Sequence, residues 1–377
     1  MQPVGHREWE RPFPVRYLIV GEDEDGEELL LGRCAAVEGL FTDPAPPPRE
    51  VLVLRGCAPG AAVGWLGPAL ITGRSASGRE YWWDLLDAEV LAVVPHAAGP
   101  ALVDVVVGAA VGAVEDFRFA RDPGERFELT ASGSGPEPLA VGAEVTGLLV
   151  EREGPERLPV QLVGCELTGP LRARLDSGYR GWPAYTELWA LDDTGRVLCR
   201  VPTGLAVDRT WPSVLGGGLL DVLLSVSPDQ LPGSAARTVW RQWQAGPPRQ
   251  AGSWRGLGSA AKETWQTLAL YLREPGPDRS GDEYHLDGRE VEDVTGLHCA
   301  IGEAVNGPGG YYGREWNGLR DCLGGGFGVV PPFTLVWHDF AATEEELAAD
   351  RDPATGLGYP EELARELERD GVTVVRA

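Results

Sequence analysis

The run of residues from 311 to 323 predicts a helix with two different faces, and it constrains the fold more than any other part of the chain. It opens with a Tyr-Tyr-Gly sequence, after which three apolar residues recur with the spacing of one helical stripe: Trp316, Leu319 and Leu323. Asn317 and Asp321 lie four residues apart, so they share another face, one turn from each other. The apolar stripe predicts contact with a core, and the polar face is left available to a partner.

Strands and helices are predicted on both sides of this helix in a definite order. They are a strand and turn at 284–288, a helix containing Leu297 and His298, a strand around 335–340, a last helix at 361–370 and a strand at 372–375. With these residues in this order, the chain from about residue 284 resembles barstar, the intracellular inhibitor of the secreted ribonuclease barnase. The resemblance implies an α/β domain at 281–377, in which helices pack against a small three-stranded parallel sheet. The alternation of strands and helices agrees, because parallel strands need helical crossovers.

The resemblance implies a partner-binding surface made of six residues: Tyr311, Asn317, Arg320, Asp321, Glu366 and Asp370. Asp321 aligns with the barstar aspartate that takes the place of the RNA phosphate among Arg, Lys and His side chains of the ribonuclease active site. Glu366 and Asp370 align with further acidic positions on the last helix. Tyr311 aligns with an aromatic residue that lies against the enzyme. A carboxylate on a rigid helix can accept several charge-assisted hydrogen bonds in such a pocket.

Two positions on this predicted surface differ from barstar. Asn317 replaces a contact aspartate, which keeps hydrogen bonding and loses one negative charge. Arg320 replaces a contact tryptophan and puts a cation beside Asp321. The segment between Phe340 and Gly371 is also longer than the corresponding segment of barstar. These differences indicate either a different cognate enzyme or a partner that is not a ribonuclease.

Negative charge is concentrated in the same part of the chain. The 377 residues have a net charge of −24, and residues 281–377 contribute −13 of it through 20 acidic and 7 basic side chains. This argues against nucleic acid as the partner, since phosphate binding needs a cationic surface. It favours a basic protein, such as a secreted ribonuclease or an RNase-type toxin, although acidic side chains also serve solubility alone.

Residues 1–228 are predicted to form a β-rich region, and their motifs resemble no family. Short apolar runs at 15–115 and again at 141–228 are bounded by Gly, Pro and acidic turn residues. Two motifs of the first block, Arg55-Gly56-Cys57 and Leu102-Val103-Asp104-Val105, have counterparts in the second, Val163-Gly164-Cys165 and Leu219-Leu220-Asp221-Val222. Two related β modules are one interpretation, and independent use of common β and turn residues is the other.

Residues 229–280 are predicted to be a connector, with helices at 235–244 and 260–272 and a polar linker at 275–281. Between 231 and 273 the chain has six basic residues, one acidic residue and four tryptophans. Three interpretations are open. The tryptophans pack between domains, or the basic side chains clamp the acidic C-terminal surface, or the stretch contacts RNA through cations interleaved with aromatic rings.

No catalytic set is visible, because the five histidines are scattered and no His, Asp or Glu cluster has metal-ligand spacing. We therefore expect no metal and no cofactor, and we expect His298 to be a packed, hydrogen-bonded residue. No signal peptide is visible, and the longest apolar stretch, 101–114, is shorter than the roughly 20 residues that span a bilayer. The six cysteines form no CxxC pair and are expected to be reduced. The expected location is the cytoplasm.

These features favour a non-catalytic cytoplasmic inhibitor that blocks the active site of a basic microbial ribonuclease or related toxin. A second hypothesis is a multidomain interaction protein whose barstar-like part binds a partner other than a ribonuclease. A third is an unrecognised enzyme within residues 1–230. Capture of the partner by a fragment of residues 281–377 would best distinguish these hypotheses.

Overall fold

The computed structural model describes residues 11–43, 45–75, 80–112, 124–131, 137–148, 156–289, 291–348 and 356–377. These residues fall into two compact units. The first contains the described residues within Met1–Pro44, Glu156–Arg351 and Leu357–Ala377. The second contains those within Ala45–Pro155 and Asp352–Gly356. The connector and the C-terminal residues therefore belong to the same compact unit as the first strands of the chain.

The described strands are β1 (Tyr17–Glu22), β2 (Glu28–Glu38), β3 (Arg49–Cys57), β4 (Gly64–Ser75), β5 (Glu80–Pro95), β6 (Val103–Ala110), β7 (Gly124–Ala131), β8 (Ala140–Gly142), β9 (Glu144–Thr146), β10 (Leu158–Leu167), β11 (Thr186–Leu191), β12 (Val197–Pro202), β13 (Val207–Pro212), β14 (Leu220–Val226), β15 (Glu283–Asp287), β16 (Phe333–His338) and β17 (Val372–Arg376). The described helices are α1 (Gly169–Asp176), α2 (Ala236–Gln244), α3 (Ser259–Leu272), α4 (Val294–Asn306), α5 (Trp316–Leu323), α6 (Phe340–Glu346) and α7 (Tyr359–Arg369).

The N-terminal region forms two antiparallel sheets, which confirms the predicted β-rich fold class. In the first unit the strand order is β12-β11-β1-β2-β10-β14-β13, and in the second unit it is β8-β7-β4-β5-β6-β3-β9. Strands β2 and β10 are hydrogen-bonded neighbours, although most of the second unit lies between them in sequence. The first sheet therefore takes its strands from both sequence blocks, 15–115 and 141–228.

The repeated Gly-Cys motifs have the same local structure in the two sheets. Gly56 and Gly164 have positive φ angles of 69° and 63°, and each lies where the strand register shifts, just before a buried cysteine. The Asp104 carboxylate accepts a hydrogen bond from the Gly56 N–H at 3.0 Å, and Asp221 accepts one from the Gly164 N–H at 2.9 Å. Glycine enters this left-handed conformation without the strain that a Cβ causes. Each sheet therefore contains the same kind of bulge, in which an aspartate side chain accepts a hydrogen bond from the glycine N–H.

The C-terminal domain (residues 281–377) contains a three-stranded parallel sheet in the order β15-β16-β17, as predicted. Helices α4 and α5 lie between the first two strands in sequence, and α6 and α7 lie between the last two. Alternate residues of the strands and one face of each helix meet in a common core: Leu286, Leu335, Trp337, Val372, Leu297, Leu319 and Leu363. Every second residue of each strand and one face of each helix are buried, which is the burial that the spacing of apolar residues predicts.

The connector forms the two predicted helices, α2 and α3. Its four tryptophans are buried in the same hydrophobic core as the first sheet and the C-terminal domain: Trp240, Trp243, Trp254 and Trp265. The segment after α3 is hydrogen-bonded to the C-terminal domain, because the Asp278 carboxylate accepts hydrogen bonds from the N–H groups of Gly326 and Gly328, both at 2.8 Å. The tryptophans therefore pack as the first interpretation of the connector expects.

Candidate protein-binding surface

Gly313 sets the path of the chain into α5. Its φ angle is +85°, a left-handed conformation that favours glycine. A Cβ atom at this position would lie 2.5 Å from the backbone N and Cα of Leu319, so a larger residue also meets the helix itself. The preceding Tyr312 is buried and donates its hydroxyl hydrogen to the Val329 carbonyl at 2.9 Å. The Tyr-Tyr-Gly sequence is thus a tight, buried entry to the helix.

Helix α5 separates apolar and polar side chains as predicted. Leu319 is fully buried, and Trp316 and Leu323 pack partly buried against the same core. Asn317 and Asp321 are exposed on another face. No ion pair to the Asp321 carboxylate is found among the described residues. A carboxylate in this position can accept hydrogen bonds from a partner without first losing an internal one.

Helix α7 brings two further predicted residues to α5. The Nε atom of Arg320 lies 3.9 Å from Oδ2 of Asp370, the C-cap residue of α7, so this contact joins α5 to the C-terminal end of α7. Glu366 lies one turn before Asp370 and forms an ion pair with Arg369. Asn317, Arg320 and Asp321 are exposed, whereas Glu366 and Asp370 are half-buried. We call these five residues the α5–α7 surface. Its three carboxylates are partly balanced by Arg320 and the neighbouring Arg369, so its net charge with Arg369 is −1.

Tyr311, the sixth predicted residue, lies beneath this surface. Its side chain is buried, with 7 % of the residue exposed, and its ring packs against Phe327 at a centroid distance of 6.0 Å. Burial raises the pKa of Tyr311 above its ordinary value. The ring therefore supports the loop before α5 from inside. Direct contact between this ring and a partner stays a prediction.

His298 links the elements that carry the α5–α7 surface. One ring nitrogen, Nδ1, lies 3.1 Å from the Gly313 carbonyl, and Nε2 lies 2.7 Å from the Tyr359 hydroxyl. Because a carbonyl oxygen only accepts, Nδ1 carries the proton and Nε2 accepts from Tyr359. Burial lowers the pKa of His298 to about 4, so the ring is neutral at pH 7. The expectation of a packed, hydrogen-bonded histidine is confirmed. We call His298, Gly313 and Tyr359 the His298 network.

The connector contacts the C-terminal domain at other residues. The Lys262 ammonium group is buried and lies 3.1 Å from Oδ2 of Asp293 and 3.5 Å from Oε2 of Glu292. Arg255 lies 3.6 Å from Oδ2 of Asp287. None of these ion pairs involves the carboxylates of the α5–α7 surface. The cations of the connector do clamp the acidic domain, but they hold a part of it that the sequence analysis did not single out.

The sequence analysis did not single out Asp293 or Tyr359, and the reasons differ. Asp293 is the N-cap of α4 and accepts a hydrogen bond from the Gly296 N–H at 2.6 Å. An aspartate just before an apolar helix is a recognisable N-cap signal. Tyr359 has no such signal, because its role depends on His298, which is distant in sequence.

Residues 282–375 match the protein family described as Barstar (barnase inhibitor). The C-terminal domain is a barstar-like domain. The residues before it match no family, and no curated protein and no solved structure matches the chain. The barstar-like domain supports a protein-binding role of the barnase-inhibitor kind.

Among the described residues, no group of three or more His, Cys, Asp or Glu side chains is arranged to hold a metal ion. Among the helices that the structure describes, none combines the length and the apolar character needed to cross a membrane.

Proposed function

We propose that this protein is a non-catalytic inhibitor that binds a basic ribonuclease-type enzyme or toxin and covers its active site with the α5–α7 surface. The observation that carries the proposal is the exposed Asp321 carboxylate, which has no ion pair among the described residues. It lies on α5 of the barstar-like domain, whose opposite face packs against the core. In the proposed complex this carboxylate takes the place of an RNA phosphate. It accepts charge-assisted hydrogen bonds from cations that the enzyme keeps for its substrate.

The charge distribution supports a basic partner. The C-terminal domain has a net charge of −13, and such a field speeds the encounter with a cationic protein. The α5–α7 surface itself is less negative, because Arg320 and Arg369 lie beside its carboxylates. We therefore propose that attraction comes from the whole domain and that Asp321 supplies the specific contact. Nucleic acid is an unfavourable partner for the same reason.

The proposal requires no chemical step by this protein, since covering an active site inhibits it by exclusion of the substrate. An inhibitor of this kind acts in the cytoplasm, where it protects the RNA of the cell that makes or meets the ribonuclease. The neutralising Arg320–Asp370 contact favours one alternative, a partner with a less cationic site than that of barnase.

The test measures binding of the full-length protein to purified barnase, with Asp321→Asn as the variant. This change keeps the shape of the side chain and removes its charge. It should weaken binding by about 2–5 kcal/mol, because cations of the enzyme lose their partner in a desolvated site. The matched control is Glu346→Gln, which removes one charge from an exposed position on α6. Its expected effect is below about 1 kcal/mol.

Equal affinities of the Asp321→Asn variant and the unmodified protein would show that Asp321 is not at the centre of the contact. If the unmodified protein does not bind barnase, the same pair of variants is tested against proteins captured by the full-length chain from the producing cell. A captured partner that lacks ribonuclease activity and binds independently of Asp321 would favour the second hypothesis.

A further inference from the structure

A groove of about 700 Å³ opens beside the beginning of α5, within the first compact unit. Its walls come mainly from strand β12, the connector helices α2 and α3 with the segment before α2, and the two residues that precede α5; Asp43 and Thr295 also line it. The residues that matter for the argument are Arg200, Val201, Trp240, Glu263, Arg314 and Glu315. The barstar-like domain supplies only one side of this groove.

We infer that the groove is a second part of the partner-binding surface, so that β12 and the connector contact the same ribonuclease-type protein that covers Asp321. This inference rests on the proposed function. A stable protein interface covers about 800 Å² on each partner, which corresponds to a disc of about 16 Å radius. Glu315 precedes Asp321 by six residues, which is about 9 Å along a helix. Six residues also turn a helix by about 240° beyond one full turn, so Glu315 lies on a neighbouring face. A disc of this radius centred on Asp321 still reaches the beginning of α5, beside which the groove opens.

The chemistry of the groove suits a surface loop of a basic protein. Val201 and Trp240 are buried and form an apolar floor. Glu263, Arg314 and Glu315 are exposed at its rim, whereas Arg200 is already paired with Oε1 of Glu28 at 2.9 Å. Glu263 and Glu315 outnumber Arg314 at the rim. A loop that presents an apolar side chain flanked by a Lys or Arg would bury the first and pair the second.

The consequence concerns partner choice. A contact made only by α5 and α7 leaves selection to the barstar-like domain. A contact that includes the groove adds residues from the connector and from the first sheet, none of which belongs to that domain. Shape and charge in the groove then reject ribonucleases whose loops do not fit, since misfit and unpaired charge cost binding free energy.

The test fills the groove in the full-length protein and measures binding to barnase. Ala260→Trp adds an indole at an exposed helix position that lines the groove. Thr238→Trp adds the same group at an exposed position of α2 that does not line it. We expect Ala260→Trp to weaken binding at least tenfold and Thr238→Trp to leave it within twofold. Glu263→Arg is a second groove variant that adds no bulk to the floor, and it should slow association with the basic probe.

The outcomes separate this inference from the proposed function. If Asp321→Asn loses binding while Ala260→Trp and Glu263→Arg bind like the unmodified protein, the groove lies outside the interface and the inference is wrong, but the proposed function stands. If the groove variants bind more weakly and keep the circular dichroism and thermal midpoint of the unmodified protein, the inference is supported. If the unmodified protein does not bind barnase, both proposals are contradicted for barnase. The groove variants are then measured against the ribonuclease-type protein that the full-length chain captures, where unchanged binding would again show that the inference is wrong.

Discussion

Acid should weaken the barstar-like domain through His298. The ring is buried and has a pKa of about 4, against 6.5 for a histidine in an unfolded chain. Between these two pH values the unfolded chain binds more protons than the folded one, so the free energy of unfolding rises with pH. The contribution of His298 is complete above pH 6.5 and is lost as the pH falls towards 4. The full difference corresponds to about 3 kcal/mol.

Part of this loss is measurable before the protein reaches its sequence isoelectric point of about 4.6. The same linkage relation gives a loss of about 1 kcal/mol between pH 7.5 and pH 5.5. His298→Gln removes the titrating ring. The variant should be less stable than the unmodified protein at pH 7.5, by about 1–3 kcal/mol, because hydrogen bonds of the His298 network are lost. At pH 5.5 that difference should shrink by about 1 kcal/mol, since only the unmodified protein has a histidine to protonate.

The assay is urea unfolding at both pH values, read by hydrogen-exchange mass spectrometry of peptides from residues 291–348. This readout follows the barstar-like domain separately from the two N-terminal sheets. Tyr312→Phe is the control, because it removes another buried hydroxyl hydrogen bond, to Val329, without involving a histidine. Its cost should be the same at pH 7.5 and pH 5.5. A cost of His298→Gln that is also independent of pH would refute the argument from His298.

Three further changes test other parts of the domain. Gly313→Ala should destabilise the domain by more than about 1 kcal/mol, because its φ of +85° penalises a Cβ, and thermal unfolding measures the loss. Asp293→Ala should cost more in urea unfolding, about 2–4 kcal/mol, than Lys262→Met, because it leaves a buried ammonium group without its nearest carboxylate; equal costs would contradict this. Arg320→Glu should speed association with barnase at about 0.05 M salt and less so at 0.5 M, and an unchanged rate at both would argue against electrostatic attraction.

The barstar-like fold and the faces of α5 could be predicted from the sequence because both depend on local order. Leu319 and its apolar neighbours recur with the period of a helix. The parallel sheet was implied by the resemblance to barstar, and the alternation of strands with helices agrees with it. Gly313 also carries its own signal, since a glycine between two tyrosines and a helix predicts a left-handed turn. Such features are set by residues within a few turns of each other.

Only the tertiary structure decided which of these faces meet. Arg320 and Asp370 are fifty residues apart in sequence, and their contact depends on how α5 and α7 pack on the sheet. Tyr311 matches an aromatic surface position in sequence, yet its ring is buried and packs against Phe327. Lys262 belongs to a basic stretch, and the periodicity of the sequence does not predict that it pairs with Asp293. Contacts of this kind depend on distances across the fold, and the spacing of residues along the chain does not report those distances.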